Sequence, residues 1–98
     1  MSYFVNKIKQ VVEQAVHDCN IPVRAHFPVN VVSHSAVLGP RKCVIEILIT
    51  EPLVNERLCN LDHYLMEVCD QMQWKFTGSY YPPSGKKTGS IIYRFTEA

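Results

Sequence analysis

Ninety-eight residues give room for one domain (1–98) with a single core and too few for two. Apolar side chains make up 47% of the chain and charged ones 19%, a globular balance that excludes intrinsic disorder. The net charge of +1, histidines neutral, argues against a generic nucleic-acid binder, while leaving room for a local basic patch.

The opening Met1–Lys7 lacks the apolar core of a signal peptide, and the longest apolar run is far short of the roughly 20 residues that cross a bilayer. The expected location is therefore a cytoplasm, that of a host cell included, or a virion. Cys19, Cys43, Cys59 and Cys69 form no Cys-x-x-Cys pair, and three of them read as buried, so reduced thiols packed as small apolar groups are expected.

Residues 3–19 predict the first helix, because Phe4, Val5, Ile8, Val11, Val12, Ala15, Val16 and Cys19 recur at three- and four-residue steps. Ser2 is placed to cap it, and Asn20 to stop it ahead of Pro22. Val23–Val32 reads next as a half-buried strand, with Val23, Ala25 and Phe27 alternating against Arg24 and His26, and Pro28 either ends it there or places it at an edge. Residues 29–38 fit either a short second strand with a turn or a loop folded over an edge. Gly39-Pro40-Arg41-Lys42 then turns the chain.

Cys43–Thr50 predicts the central strand, with Cys43, Ile45, Ile47 and Ile49 on one wholly apolar face. Asn55 is the expected N-cap of a second helix running to about Gln73. Its apolar arc centres on Leu58, Leu61, Leu65, Val68 and Met72, widened by Cys59, Met66 and Cys69. Asp62 projects inside that widened arc. Either it marks the true edge of the core face, or the Cys59/Met66 flank faces a partner.

The last third reads as a hairpin. Trp74, Phe76 and Tyr80 alternate with polar residues, Gly78 is a candidate bulge, and Ile91, Tyr93 and Phe95 alternate in the closing strand. Residues 82–89 join the two with a basic, Pro/Gly-framed loop that either wanders in solvent or touches something. The order of elements predicts an α+β two-layer sandwich: two helices packed on one face of a mainly antiparallel sheet of four or five strands.

No stretch carries the spacing that chemistry needs. Ser84-Gly85-Lys86-Lys87-Thr88 has the flavour of a phosphate loop, yet it joins two strands where such a loop must open a helix. Cys59 and His63 stand one helical turn apart, but two further metal ligands are not supplied. Ser33-His34-Ser35 falls in the ambiguous 29–38 segment, any cysteine could serve as nucleophile but nothing in the sequence brings these groups together, and Glu46 and Asp62 are isolated carboxylates. The expected protein is thus no enzyme, with no metal and no cofactor. Contact with nucleic acid would use Lys86 and Lys87, with Lys75, Arg94, Arg41 and Lys42, and Tyr80 or Tyr81 stacking on bases. Contact with protein has more behind it, because the last strands are rich in aromatics, which interface cores favour. Edges at Val23–Phe27 and Ser90–Thr96 would carry few blunting charges.

From Val44 to Thr96 the chain runs through a strand ending Ile-Thr-Glu-Pro, an amphipathic helix, and two aromatic strands closing Ile-Ile-Tyr-Arg-Phe-Thr. In order and proportion this resembles the small tail-terminator and tail-completion (minor tail) proteins of long-tailed bacteriophages, which also begin with an amphipathic helix. The resemblance implies a non-enzymatic α+β subunit that forms a ring, usually a hexamer, capping the tail tube and contacting other virion proteins. Other small phage proteins share this size, so the alternative is a soluble inhibitor or adaptor of the anti-defence type, binding a larger host protein. A nucleic-acid module using the 82–89 loop comes third. The expected contact residues are Arg41 and Lys42 on the turn, Lys86 and Lys87 on the loop, and Tyr81 and Ile92 on the outer sheet face. Asp62 joins them if its helix flank is an interface.

Overall fold

In the computed structural model, which describes residues 2–35 and 39–97, Ser2 starts helix α1 (Tyr3–Asp18) by accepting a hydrogen bond from the Val5 N–H. The helix stops as expected. Asn20 takes a positive φ of 53°, its N–H bonds the His17 carbonyl, and the Ile21 N–H reaches back to Val16. Ile21 and Val16 are both buried, the apolar contact that accompanies this left-handed stop.

Four strands follow: β1 (Val29–Ser35), β2 (Lys42–Ile49), β3 (Trp74–Tyr81) and β4 (Gly89–Glu97), with helix α2 (Asn55–Met72) between β2 and β3. They form one antiparallel sheet in the order β1-β2-β4-β3. β2 and β3 therefore run in the same direction with β4 inserted between them, and α2 carries the chain across. Both helices lie on the face that bears Cys43, Ile45, Ile47 and Ile49, all fully buried. Beside them in register stand Phe95, Tyr93 and Ile91 of β4. The protein is an α+β fold with two helices on one face of a four-stranded sheet.

An aromatic cluster fills the β3–β4 side of this same covered face. The Phe76 ring stacks 6.0 Å from Phe95 and meets Tyr93 edge-on at 5.8 Å, while Phe4 meets Trp74 edge-on at 5.6 Å and so joins α1 to β3. The Tyr80 hydroxyl accepts the Leu53 N–H at 2.8 Å and ties β3 to the β2–α2 connection.

Several expectations are corrected. Val23–Phe27 is no strand: Val23 makes a single bridge to Ile49, and Phe27 sits at φ 49°. The Arg24 N–H bonds Leu48 and the Pro28 carbonyl receives the Leu48 N–H, so residues 25–27 loop out between two contacts with one β2 residue. Regular pairing begins only beyond Pro28, which lacks an N–H to give. The strand is instead the open segment from Val29, kinked by a register shift between Val31 and Ser33; its remainder, 36–38, lies outside the described residues. Ser90–Thr96 is no edge, since β4 pairs on both sides and the edges are β1 and β3. Gly78 makes no bulge, for the β3–β4 register passes through it unbroken. Val54, not Asn55, occupies the N-cap of α2, without a side-chain bond. The buried arc of α2 is narrower than the apolar one: Leu61, Leu65 and Cys69 are buried, and Cys59 and Met66 are exposed.

Candidate functional site

With both helices on one face, the other face of the sheet lies open. Along it stand Lys42, Val44, Glu46 and Leu48 of β2, Thr96, Arg94, Ile92 and Ser90 of β4, and Lys75, Thr77, Ser79 and Tyr81 of β3. Register fixes which of these meet. Lys42 and Lys75 flank Thr96 from either side, and Val44 and Thr77 flank Arg94 in the next outward-facing row. A shallow depression of about 290 Å³ is lined by these residues. Among the described residues the ion pairs are Arg41–Glu97 and His17–Asp18, so Lys42, Lys75 and Arg94 stand together without a carboxylate in contact.

The expected contact residues are thereby separated. Lys42 belongs to this cluster. Ile92 is half-buried mid-face between Glu46 and Ser79. Tyr81, 51% exposed, lies at the opposite end of β3 from Lys75, six residues or about 20 Å away. Lys86 and Lys87 lie beyond Tyr81 on a hairpin tip that is folded, not wandering: Ser84 and Lys87 exchange backbone bonds of 3.2 and 2.8 Å around a turn whose first central residue, Gly85, has φ 57°. Arg41 is engaged within the fold. Its backbone N–H and Nε both donate to Glu97 Oε1, at 3.2 and 3.0 Å, and its guanidinium lies 5.7 Å from the Phe4 ring centre.

Asp62 does mark the edge of the core face. Its Oδ1 accepts the Tyr93 hydroxyl at 2.5 Å, a bond that satisfies the polar end of a ring otherwise buried among apolar side chains. Burial first, and this bond second, push the Tyr93 phenol far above its ordinary range, so it stays a donor. Asp62 also lines a groove of about 220 Å³ with Leu58, Met66, Phe76 and Tyr80, running between α2 and the open edge of β3. Tyr80 faces inward here, which leaves Tyr81 as the outward aromatic.

Reactive groups are scattered. Cys59 and His63 are both exposed on α2, and Ser33-His34-Ser35 lies exposed on β1. Among the described residues no three His, Cys, Asp or Glu side chains gather to hold a metal, and no helix is long and apolar enough to cross a membrane. Burial pushes the Cys43 and Cys69 thiols up to about 11, with Asp70 adding to the rise at Cys69. A bulky thiol reagent at neutral pH is expected to label Cys59 first, Cys19 more slowly, and Cys43 and Cys69 only on unfolding, as read by mass spectrometry of the digest. The unfolded chain gives up these protons from about pH 9, the folded chain only near 11. Stability is thus expected to fall across that window, and to fall less in Cys43→Ala.

The sequence names Lys42, Lys75 and Arg94 among the cations of a nucleic-acid contact, together with Arg41, Lys86 and Lys87, but does not show that these three meet. Strand parity already placed each on an outer face. Their meeting depends on the order β2-β4-β3, which no local pattern encodes. No protein-family model, curated protein or solved structure matches the chain.

Proposed function

We propose that the protein is a non-enzymatic subunit that associates with copies of itself through the edges of its sheet. Closure of that association would give the ring of a phage tail terminator or head–tail connector, formed in the host cytoplasm and built into the virion. The observation that carries the reading is the relation between the two open edges. β1 and β3 run antiparallel to each other. A rotation about an axis along the strands therefore brings β3 of one copy against β1 of the next as an antiparallel pair, with every helix on the same side of the joined sheet. A head-to-tail contact of this kind closes into a ring when the rotation divides the circle. β3 suits the task, being eight residues long and free of register shifts, with Lys75 as its single charge. Natural sheets that avoid pairing blunt such edges with charge, proline or bulges.

Thr77→Lys with Ser79→Lys adds two charges to that edge without entering the core. The wild-type mass by light scattering is expected to rise with concentration to a discrete multiple of 11.2 kDa, and the double variant to stay monomeric. A wild type that remains monomeric at every concentration overturns the ring.

The groove beside β3 favours a second reading, an adaptor or inhibitor that binds a strand of a host protein. A strand added to β3 with a Lys or Arg side chain over Gly78 would set that cation beside Asp62. A monomer that captures a host protein, and loses it on Asp62→Asn, would establish this alternative.

A further inference from the structure

We infer that the open face of the sheet binds the phosphodiester backbone of single-stranded nucleic acid, with Lys42, Lys75 and Arg94 as its phosphate contacts. The inference is independent of edge pairing, which leaves this face uncovered.

Three cations converge here from three strands. Lys42 and Lys75 lie on either side of Thr96, about 10 Å apart across two strand spacings, and Arg94 is one outward-facing position further along β4. That separation is about one Debye length at 0.1 M salt, so their fields add over the depression between them. The chain as a whole carries only +1, and this end of the face gathers three positive charges. The acidic residue of the same face, Glu46, lies opposite Ile92, and no ion pair joins it to Arg94. The Arg94 guanidinium offers a fork that fits two oxygens of one phosphate, and the Thr96 and Thr77 hydroxyls between the cations are further donors.

The rest of the face suits a strand with bases. From the cation end it passes over Ile92 to the exposed ring of Tyr81, about 20 Å along. An aromatic side chain stacks on any base without reading its sequence. The bare face of a four-stranded antiparallel sheet, backed by two helices, is a platform on which unpaired bases can lie flat. An acidic peptide would use the cations but would leave Tyr81 without a role.

The test is fluorescence anisotropy with a labelled oligothymidylate of about 12 nucleotides, within the site sizes such platforms use. Wild type is expected to bind at low salt, with log K falling against log salt at a slope of about −2 for three single-strand phosphate contacts. Lys42→Ala/Lys75→Ala, both exposed and outside the core, should lose most of that slope. Lys7→Ala/Lys9→Ala, the same change in charge placed on α1, should keep it. Tyr81→Ala should weaken binding and leave the slope unchanged. Three results overturn the inference: no binding by wild type at low salt, equal loss in the two double variants, or polyglutamate binding as tightly as the oligonucleotide.

Discussion

Replacing Tyr93 with alanine is expected to cost the fold about 3–5 kcal/mol, the range for losing a large buried ring. Tyr93 is 1% exposed in the middle of β4, packs edge-on against Phe76 at 5.8 Å, and holds the carboxylate of Asp62 through its hydroxyl. Three losses coincide in the alanine variant. The ring's transfer free energy goes, a cavity opens under α2, and Asp62 keeps its half-buried place without its donor. Tyr93→Phe separates them, since the ring stays and the bond alone is lost, at about 0.5–1.5 kcal/mol, or up to about 3 if the charge of Asp62 strengthens it. Urea unfolding of the two variants measures both. A Tyr93→Ala protein within about 1 kcal/mol of wild type would mean that the ring does not organise the core.

Gly78→Ala is expected to cost about 1–3 kcal/mol, the usual penalty for one methylene too many in a packed core. Gly78 is directly opposite Tyr93, and a Cβ there would stand 2.7 Å from its Cε1 and 2.9 Å from its Cδ1. The ring cannot give way, because its hydroxyl is fixed by Asp62 and Phe76 packs against it edge-on. For a domain of this size that is a fall in Tm of roughly 4–8 °C per kcal/mol. The two predictions are coupled. In the Tyr93→Ala background the added methyl has room, so the double variant should be more stable than the sum of the single losses implies. Additive losses would show that the glycine serves the backbone and not the ring.

Most of the fold is legible in the sequence where one pattern is unopposed. The alternation from Cys43 to Ile49 and the stripe from Phe4 to Val16 each allow one solution, and both elements form there. β1 is different. Val23, Ala25 and Phe27 alternate as well as Val29 and Val31 do, and Pro28 separates two equally plausible strands. What decides is the bonding of Arg24 and Pro28 to a single distant residue, Leu48, which no local window contains. The arc of α2 leaves two readings open for a related reason. A helical wheel reports which residues are apolar, while the reach of the sheet beneath decides which are covered, and it stops short of Cys59 and Met66. The fold gives Asp62 its reason through Tyr93, a partner 31 positions away. Among the contact residues, the exposure of Tyr81, Lys86 and Lys87 was readable from turn chemistry and parity. The engagement of Arg41 with Glu97 and the meeting of Lys42 with Lys75 and Arg94 were not, because both depend on strand order.

Self-association through the sheet edges is tested most directly by amide hydrogen exchange across a concentration series. Strand pairing would slow exchange of the outward amides of β3 and β1 as concentration rises, leaving α1, α2 and the already paired β2 and β4 unchanged. Exchange in β3 and β1 that holds its dilute rate at every concentration would contradict the account.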